Sequence, residues 1–173
     1  MALLAATAGI LLPLLTHYRE EAARTVCRDQ LGRIGQALGR YAMANGGRLP
    51  AARPMPRPVE GPNTLPALQM IAGRHMSRAA MAFHCPGDDM ALYPLCGSSY
   101  YYDTAAALRL SRSSESGQAE ADRTPLVWDA DNATFRIRGE AVSIEPFHGR
   151  RQIAFRDGHV VTQTEPLPPP FGD

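Results

Sequence analysis

The chain has 173 residues, of which 45% are apolar and 20% are charged, so it can form one domain with a sizeable core plus an appendage. Its formal net charge of +1 argues against a general nucleic-acid binder, which would carry a strong positive excess. All 18 basic residues are arginine, which excludes any chemistry that requires a lysine amine.

The first 45 residues have the pattern of one long helix with two halves. Residues 1–15 contain no charged side chain, and Thr7 is their only polar one. In residues 16–45 the apolar positions recur at steps of three and four, which places them along one helix face. This stripe consists of Ala23, Cys27, Leu31, Ile34, Leu38 and Tyr41. The glycine pair after Asn45 favours a left-handed stop to the helix.

The two halves of this helix require different surroundings. Residues 1–15 form an apolar assembly or membrane half, whereas residues 16–45 form an amphipathic half that packs one face on a head. The apolar run is shorter than the roughly 20 residues that cross a bilayer, and it lacks the basic start of a secretory signal. An ordinary core helix is the alternative, but a domain of this size would struggle to cover residues 1–15 on every side.

The residues after the helix, 46–173, have the composition of a small globular α+β head. Residues 64–75 predict a short helix with Thr64 as its N-cap. The segment 111–123 is polar and has few apolar residues, so it predicts an exposed loop. The proline-rich tail 165–173 favours polyproline II conformation.

Several segments of the head have strand patterns, and two of them predict a hairpin. The strand candidates are residues 126–129, 134–138, 152–155 and 160–163, with strand and loop mixed in 83–102. Asp157 and Gly158 lie between the last two candidates. Asp-Gly between two apolar-patterned runs is a strong hairpin signal, because glycine accepts a positive φ freely. We expect an antiparallel sheet packed on the amphipathic half of the helix.

Three cysteines, Cys27, Cys85 and Cys96, allow at most one internal disulfide. The favoured pair is Cys85 with Cys96, because that bond would staple a short proline-containing loop and contribute about 2–3 kcal/mol in the chain-entropy model. Cys27 lies on the inward stripe of the helix and is an alternative partner for either. In a third alternative all three cysteines remain thiols.

A series of short motifs follows along the chain. The helical stretch 11–50 contains an LP pair, an REEAAR segment, a single cysteine and a closing GRLP. The later motifs are residues 83–88 (FHCPGD), 99–100 (SY), 125–129 (PLVWD), 148–150 (HGR) and 155–160 (FRDGHV). Together and in this order, they resemble the motifs of type IV pilins and type II secretion pseudopilins, over most of the chain.

The resemblance implies a pilin-like α+β fold and a structural subunit rather than an enzyme. It implies self-assembly into a helical polymer and contact with the pilus or secretion assembly machinery. The subunit would lie in the inner membrane before assembly and in a periplasmic or extracellular filament afterwards. The residues expected in the filament core are Leu4, Ile10, Leu11, Pro13, Leu14 and Leu15. The residues expected to set the stagger between subunits by charge are Arg19, Glu20, Glu21 and Arg24.

Calcium is the one cofactor that the resemblance introduces, since some major pseudopilins bind it in their C-terminal region. Asp129, Asp131 and Asn132 place oxygens close together after a predicted strand. An Asx-rich turn is the alternative interpretation of these three residues. The spacing of the histidines and cysteines matches no zinc-ligand pair. His148 and Asp157 resemble a catalytic dyad on paper, but the resemblance makes them structural residues.

The chain departs from the pilin pattern at its start. Only twelve residues precede Pro13, and none takes the place of the early glutamate that prepilins use. Prepilin processing and the glutamate–amine pairing between subunits are therefore not predicted. Two rival functions stay open: a monomeric, membrane-tethered periplasmic binding module with the same head, and a minor tip subunit that primes assembly.

Overall fold

The computed structural model describes residues 2–56, 65–76, 79–88, 92–112, 123–131, 133–137, 139–144, 147–148 and 150–163. Its architecture is α+β, as the sequence predicts, with a long N-terminal helix packed on a four-stranded antiparallel sheet. Most of the predicted loop 111–123 and all of the tail 165–173 lie outside the described residues. Thr64 and Asn132 also lie outside them.

Helix α1 (Ala2–Ala44) runs continuously through Pro13 and ends where the sequence predicts. The glycine pair after the helix provides the stop. Gly47 has a φ of 83°, and its N–H donates to the carbonyl of Ala42 at 2.8 Å. A left-handed glycine closing back on the last turn satisfies carbonyls that have no partner within the helix.

The predicted stripe of α1 faces the core. Four of its members, Cys27, Leu31, Ile34 and Leu38, have essentially no exposed surface, while the two end members are half-buried. They share one core cluster with aromatic and aliphatic side chains of the head. These partners include Phe83, Tyr100, Tyr102, Leu126 and Val127. The amphipathic half of α1 is therefore one wall of the head.

Within the described ranges, six strands form two antiparallel sheets. They are β1 (Tyr100–Tyr102), β2 (Val127–Asp129), β3 (Ala133–Ile137), β4 (Glu140–Ile144), β5 (Arg151–Ala154) and β6 (Val160–Gln163). The main sheet has the order β1-β2-β5-β6, and the hairpin β3–β4 forms a second, two-stranded sheet. Four of these strands lie at the predicted positions, including the hairpin β5–β6 around Gly158, whose φ is 88°.

Successive residues of the main sheet face two different core clusters. Tyr100 and Tyr102 of β1 point toward α1, whereas Tyr101 points to the opposite face. There the Tyr101 ring lies 5.0 Å from the ring of Trp128, its neighbour across β1 and β2. Ile144 of β4 packs in this second cluster. The hairpin β3–β4 therefore helps to cover the face of the sheet that α1 leaves open.

The short helices differ from the sequence expectation. The helix expected at 64–75 is an α-helix, α2, only over Leu68–Ala72, followed by one 3₁₀ turn. Its start is late because Ala67 is extended, with ψ 142°, and forms a parallel bridge with Arg53. The sequence did not predict α3 (Tyr93–Cys96) or α4 (Thr104–Leu110).

The disulfide joins Cys27 of α1 to Cys85, so the favoured pairing of Cys85 with Cys96 is wrong. The alternative in which Cys27 joins a loop cysteine is confirmed. Cys96 remains a thiol and is buried on the opposite side of the sheet, in the cluster that contains Trp128. The bonded cysteines are 58 positions apart, so closing that loop contributes about 4 kcal/mol in the chain-entropy model.

A seam of glycines brings α1 against the turn between β5 and β6. A Cβ added at Gly35 would lie 2.8 Å from both the Cα of Gly158 and the carbonyl oxygen of Phe155. At Gly32, one turn earlier, the nearest atom to an added Cβ would be 3.4 Å away, which is ordinary contact. Helix and turn therefore touch backbone to backbone at Gly35 and have room at Gly32.

These two positions predict opposite effects of the same substitution. Gly35→Ala drives a methyl into two backbone segments, so we expect a loss of about 1–3 kcal/mol in the free energy of unfolding. Gly32→Ala gains up to about 1 kcal/mol of helix propensity without a clash, so we expect it to be neutral or stabilising. Urea denaturation of both variants measures the difference. Equal losses in the two variants would contradict the described contact.

Candidate functional site

The N-terminal part of α1 extends away from the core. From Leu11 to Ala22 every residue is exposed, and Cys27 is the first buried residue from position 11 onward, where the side chains of the helix are described. We call residues 11–22 the exposed segment. Measured from Ala2, the helix covers about 38 Å before it reaches Cys27, at about 1.5 Å per residue.

The exposed segment carries a large apolar surface. Its four leucines, at positions 11, 12, 14 and 15, are each 47–63% exposed, and Tyr18 is 64% exposed. Leu11, Leu14, Leu15 and Tyr18 are spaced i, i+3, i+4 and i+7, so they form one stripe, which Leu12 widens. Burying one leucine contributes about 1.5–3 kcal/mol, so this surface favours an apolar partner.

The expected filament-core residues fall in two groups. Leu11, Pro13, Leu14 and Leu15 lie in the exposed segment. Leu4 and Ile10 belong to the same helix, but their side chains lie outside the described part of the chain. No helix among the described residues is both long and apolar enough to cross a membrane.

The four residues expected to set the stagger between subunits by charge lie where α1 reaches the head. Arg24 and Glu21 pair with each other, with 2.8 Å between Nη1 and Oε2. Arg19 and Glu20 are exposed and line a groove of about 600 Å³ between α1 and the loop around Pro86. Two of the four charges are therefore engaged within the helix, while Arg19 and Glu20 face solvent at the groove.

Motif residues from distant parts of the chain meet at the disulfide. The Ser99 hydroxyl donates to the Asp88 carboxylate at 2.7 Å and accepts the N–H of Cys85 at 3.0 Å. Asp88 also accepts the N–H groups of Leu92 and Tyr93 at 2.8 and 2.7 Å. These bonds hold the loop that carries Cys85 to the start of β1 and to the start of α3.

The acidic residues considered for calcium have other partners. Asp129 is buried and accepts the N–H of Gln152 at 2.7 Å. Asp131 accepts the N–H of Phe147 at 3.0 Å and the guanidinium Nε of Arg151 at 3.3 Å. A guanidinium thus supplies the positive charge that a cation would bring to Asp131. Within the described residues, the two carboxylates fasten the end of β2 to β5 and to the segment before it.

Burial controls the ionisation of these carboxylates. Burial raises the pKa of Asp129 well above its usual value, and the negative charge of Asp131 raises it further. Burial also raises the pKa of Asp131, although the N–H of Phe147 and the charge of Arg151 oppose that shift. The Oδ1 atom of Asp129 is buried and has no hydrogen-bond partner among the described residues.

Comparisons of the chain with protein-family models, with curated proteins and with solved structures give no match. The functional assignment therefore depends on the surface of α1, on the contacts of the head and on the sequence motifs.

Replacing Asp129 tests the cost of its buried charge. Because its folded-state pKa lies above the unfolded value of about 3.9, folding retains the proton, and stability falls as pH rises through the folded-state pKa. Asp129→Asn cannot ionise and still accepts the N–H of Gln152. We expect it to flatten this decline and to be at least as stable as the parent chain at about pH 8. Urea midpoints from about pH 4 to about pH 8 measure it.

Asp131→Asn is the matched control. This change leaves the Arg151 guanidinium, only 9% exposed, without its carboxylate, so we expect a loss of about 1–3 kcal/mol at neutral pH. A pH profile of Asp129→Asn that runs parallel to the parent would contradict the buried-charge interpretation.

Proposed function

We propose that this chain is a structural subunit of a filament of the type IV pilus or type II secretion pseudopilus kind, assembled through its N-terminal helix. The observation that carries the proposal is the division of α1. Its C-terminal half is built into the head, while the exposed segment presents four leucines to solvent. A folded domain gains nothing from exposing such a stripe unless another apolar surface covers it.

A second copy of the same helix fits this requirement. Stacked copies bury equivalent apolar segments against one another, and apolar burial needs no directional contact. A repeated contact between different faces of successive subunits does not close on itself, so it produces a helical polymer. Arg19 and Glu20 supply exposed opposite charges next to the apolar stripe, where they can fix the stagger between copies.

The remaining features of the head agree with export. A disulfide joins the helix to the head, and disulfides persist in oxidising compartments outside the cytoplasm. The inner membrane would hold the subunit before assembly, and the pilus or secretion machinery would transfer it to the filament. The sequence motifs that resemble pilins lie along the whole head and support the same function.

Charge placed in the apolar stripe tests the proposal. Leu11→Glu with Leu14→Glu removes two buried leucines from each contact, about 3–6 kcal/mol. The critical concentration for assembly then rises by about 10²–10⁴-fold. Negative-stain electron microscopy and sedimentation of the full chain in detergent-free buffer should show filaments for the parent and none for the variant.

The head offers a control with the same charge change. Met43 and Met70 are 84% and 68% exposed, and both lie outside the exposed segment. Met43→Glu with Met70→Glu should leave filaments intact. A parent chain that yields only monomers or closed rings would refute the filament. If the leucine variant instead loses binding to vesicles while the parent remains monomeric, the membrane-tethered module would replace it.

A further inference from the structure

The disulfide lies beside a buried histidine. The Sγ of Cys85 is 3.5 Å from Nε2 of His148, and the candidate ligand atoms of Cys27, Cys85 and His148 all lie within 4.8 Å of one another. All three residues are buried. This is the one such cluster of potential metal ligands within the described residues. We call it the Cys–Cys–His cluster.

The histidine is held in the orientation that a metal ligand needs. Nδ1 of His148 lies 3.1 Å from the carbonyl oxygen of Arg150. A carbonyl only accepts, so Nδ1 donates to it, and Nε2, which has its lone pair in this tautomer, faces the Cys85 sulfur. A disulfide sulfur has no proton to donate to that lone pair. Backbone carbonyls fix metal-binding histidines in this way.

The spacing also suits a tetrahedral ion. With Zn–S near 2.3 Å and Zn–N near 2.0–2.1 Å, a sulfur and a nitrogen ligand of zinc lie about 3.5 Å apart. The Cys85 sulfur and His148 nitrogen are already at 3.5 Å. Two thiolate ligands would be about 3.8 Å apart, which requires the disulfide to be open. The cluster can therefore hold an ion only in the dithiol state.

A carboxyl group lies next to the histidine. Oδ2 of Asp129 lies 3.9 Å from Nε2 of His148. Its other oxygen, Oδ1, is buried and lacks a hydrogen-bond partner among the described residues. Asp129 is not one of the residues whose ligand atoms all lie within 4.8 Å of one another, so it borders the cluster and is not one of its ligands.

We propose that the reduced chain binds one Zn²⁺ through Cys27 Sγ, Cys85 Sγ and His148 Nε2, with a water molecule in the fourth position. The ion displaces the two thiol protons, so two thiolates balance its double charge. Oxidation of the two sulfurs to the disulfide transfers two electrons to a disulfide or quinone oxidant and releases the ion. The zinc site therefore exists only while the two cysteines are reduced, and the disulfide replaces it after oxidation.

A groove lies beside the cluster. The groove of about 600 Å³ between α1 and the head is lined by Val26, Pro86 and Phe147, among others. These three residues are the immediate neighbours of Cys27, Cys85 and His148 along the chain. The groove therefore brings solvent to the chain neighbours of the three cluster residues, which are themselves buried.

The test compares the reduced and oxidised full chain. A water-soluble phosphine opens the disulfide and becomes the phosphine oxide. Co²⁺ then serves as a spectroscopic substitute for Zn²⁺. We expect one equivalent of metal, a thiolate-to-cobalt charge-transfer band and the visible absorption of tetrahedral cobalt. With zinc at about 100 times its dissociation constant, Tm of the reduced chain should rise by about 5–10 °C, and that of the oxidised chain should not change.

Two variants identify the ligands. His148→Gln should weaken zinc binding at least about 10-fold in the reduced chain, while near-ultraviolet circular dichroism of its oxidised form checks that it folds. Cys96→Ser is the control, because Cys96 lies in the other core cluster, and it should bind as the parent does.

Three results would overturn the site. They are equal affinity in His148→Gln and parent, loss of binding in Cys96→Ser, and a reduced parent chain whose cobalt spectrum lacks the thiolate band. The last result needs no variant. The inference does not depend on filament assembly, because a chain that never polymerises can still give each of these metal results.

Discussion

The covalent bond between Cys27 and Cys85 fixes the point at which the long helix becomes part of the head. From Cys27 toward its C-terminus, the stripe of α1 packs in a core of aromatic and aliphatic side chains. On the N-terminal side of the bond, the leucines of the exposed segment do not pack in a core among the described residues. The hydrogen bonds from Ser99 to Asp88 and from Cys85 to Ser99 hold the loop in the place that the bond requires. The groove, the histidine and the exposed segment all take their positions from this one junction.

Local patterns in the sequence predicted much of this fold. The steps of three and four along residues 23–41 identified the buried face of α1, because a helix that faces two environments must alternate with its own period. Asp157-Gly158 identified the turn between β5 and β6, since only a glycine adopts that φ without strain. The separation of the exposed segment's leucines from the head was also predicted, because residues 1–15 form an apolar run without charge.

Contacts between distant segments were not predictable in the same way. Cys85 was expected to pair with a cysteine close to it in the sequence. Its loop instead packs on α1, so it is bonded to Cys27, which is 58 positions away. Ala67 is not part of the expected helix, because its backbone pairs with that of Arg53 in a parallel bridge. The neighbourhood of His148 and the two cysteines joins three segments with no common motif, so zinc-ligand spacing does not reveal it. Only three-dimensional proximity brings such groups together.

The position of the disulfide also has a mechanical consequence. In a polymer held together by the exposed segments, tension along the fibre would enter each head through α1. The first attachment that it would meet is the bond at Cys27, before the glycine seam at Gly35 and before the buried residues further along the helix. A covalent link at this point would pass the load to the loop of Cys85 and spare the hydrogen-bonded sheet. The oxidation state of one pair of sulfurs would therefore set how much force a head withstands before it unravels.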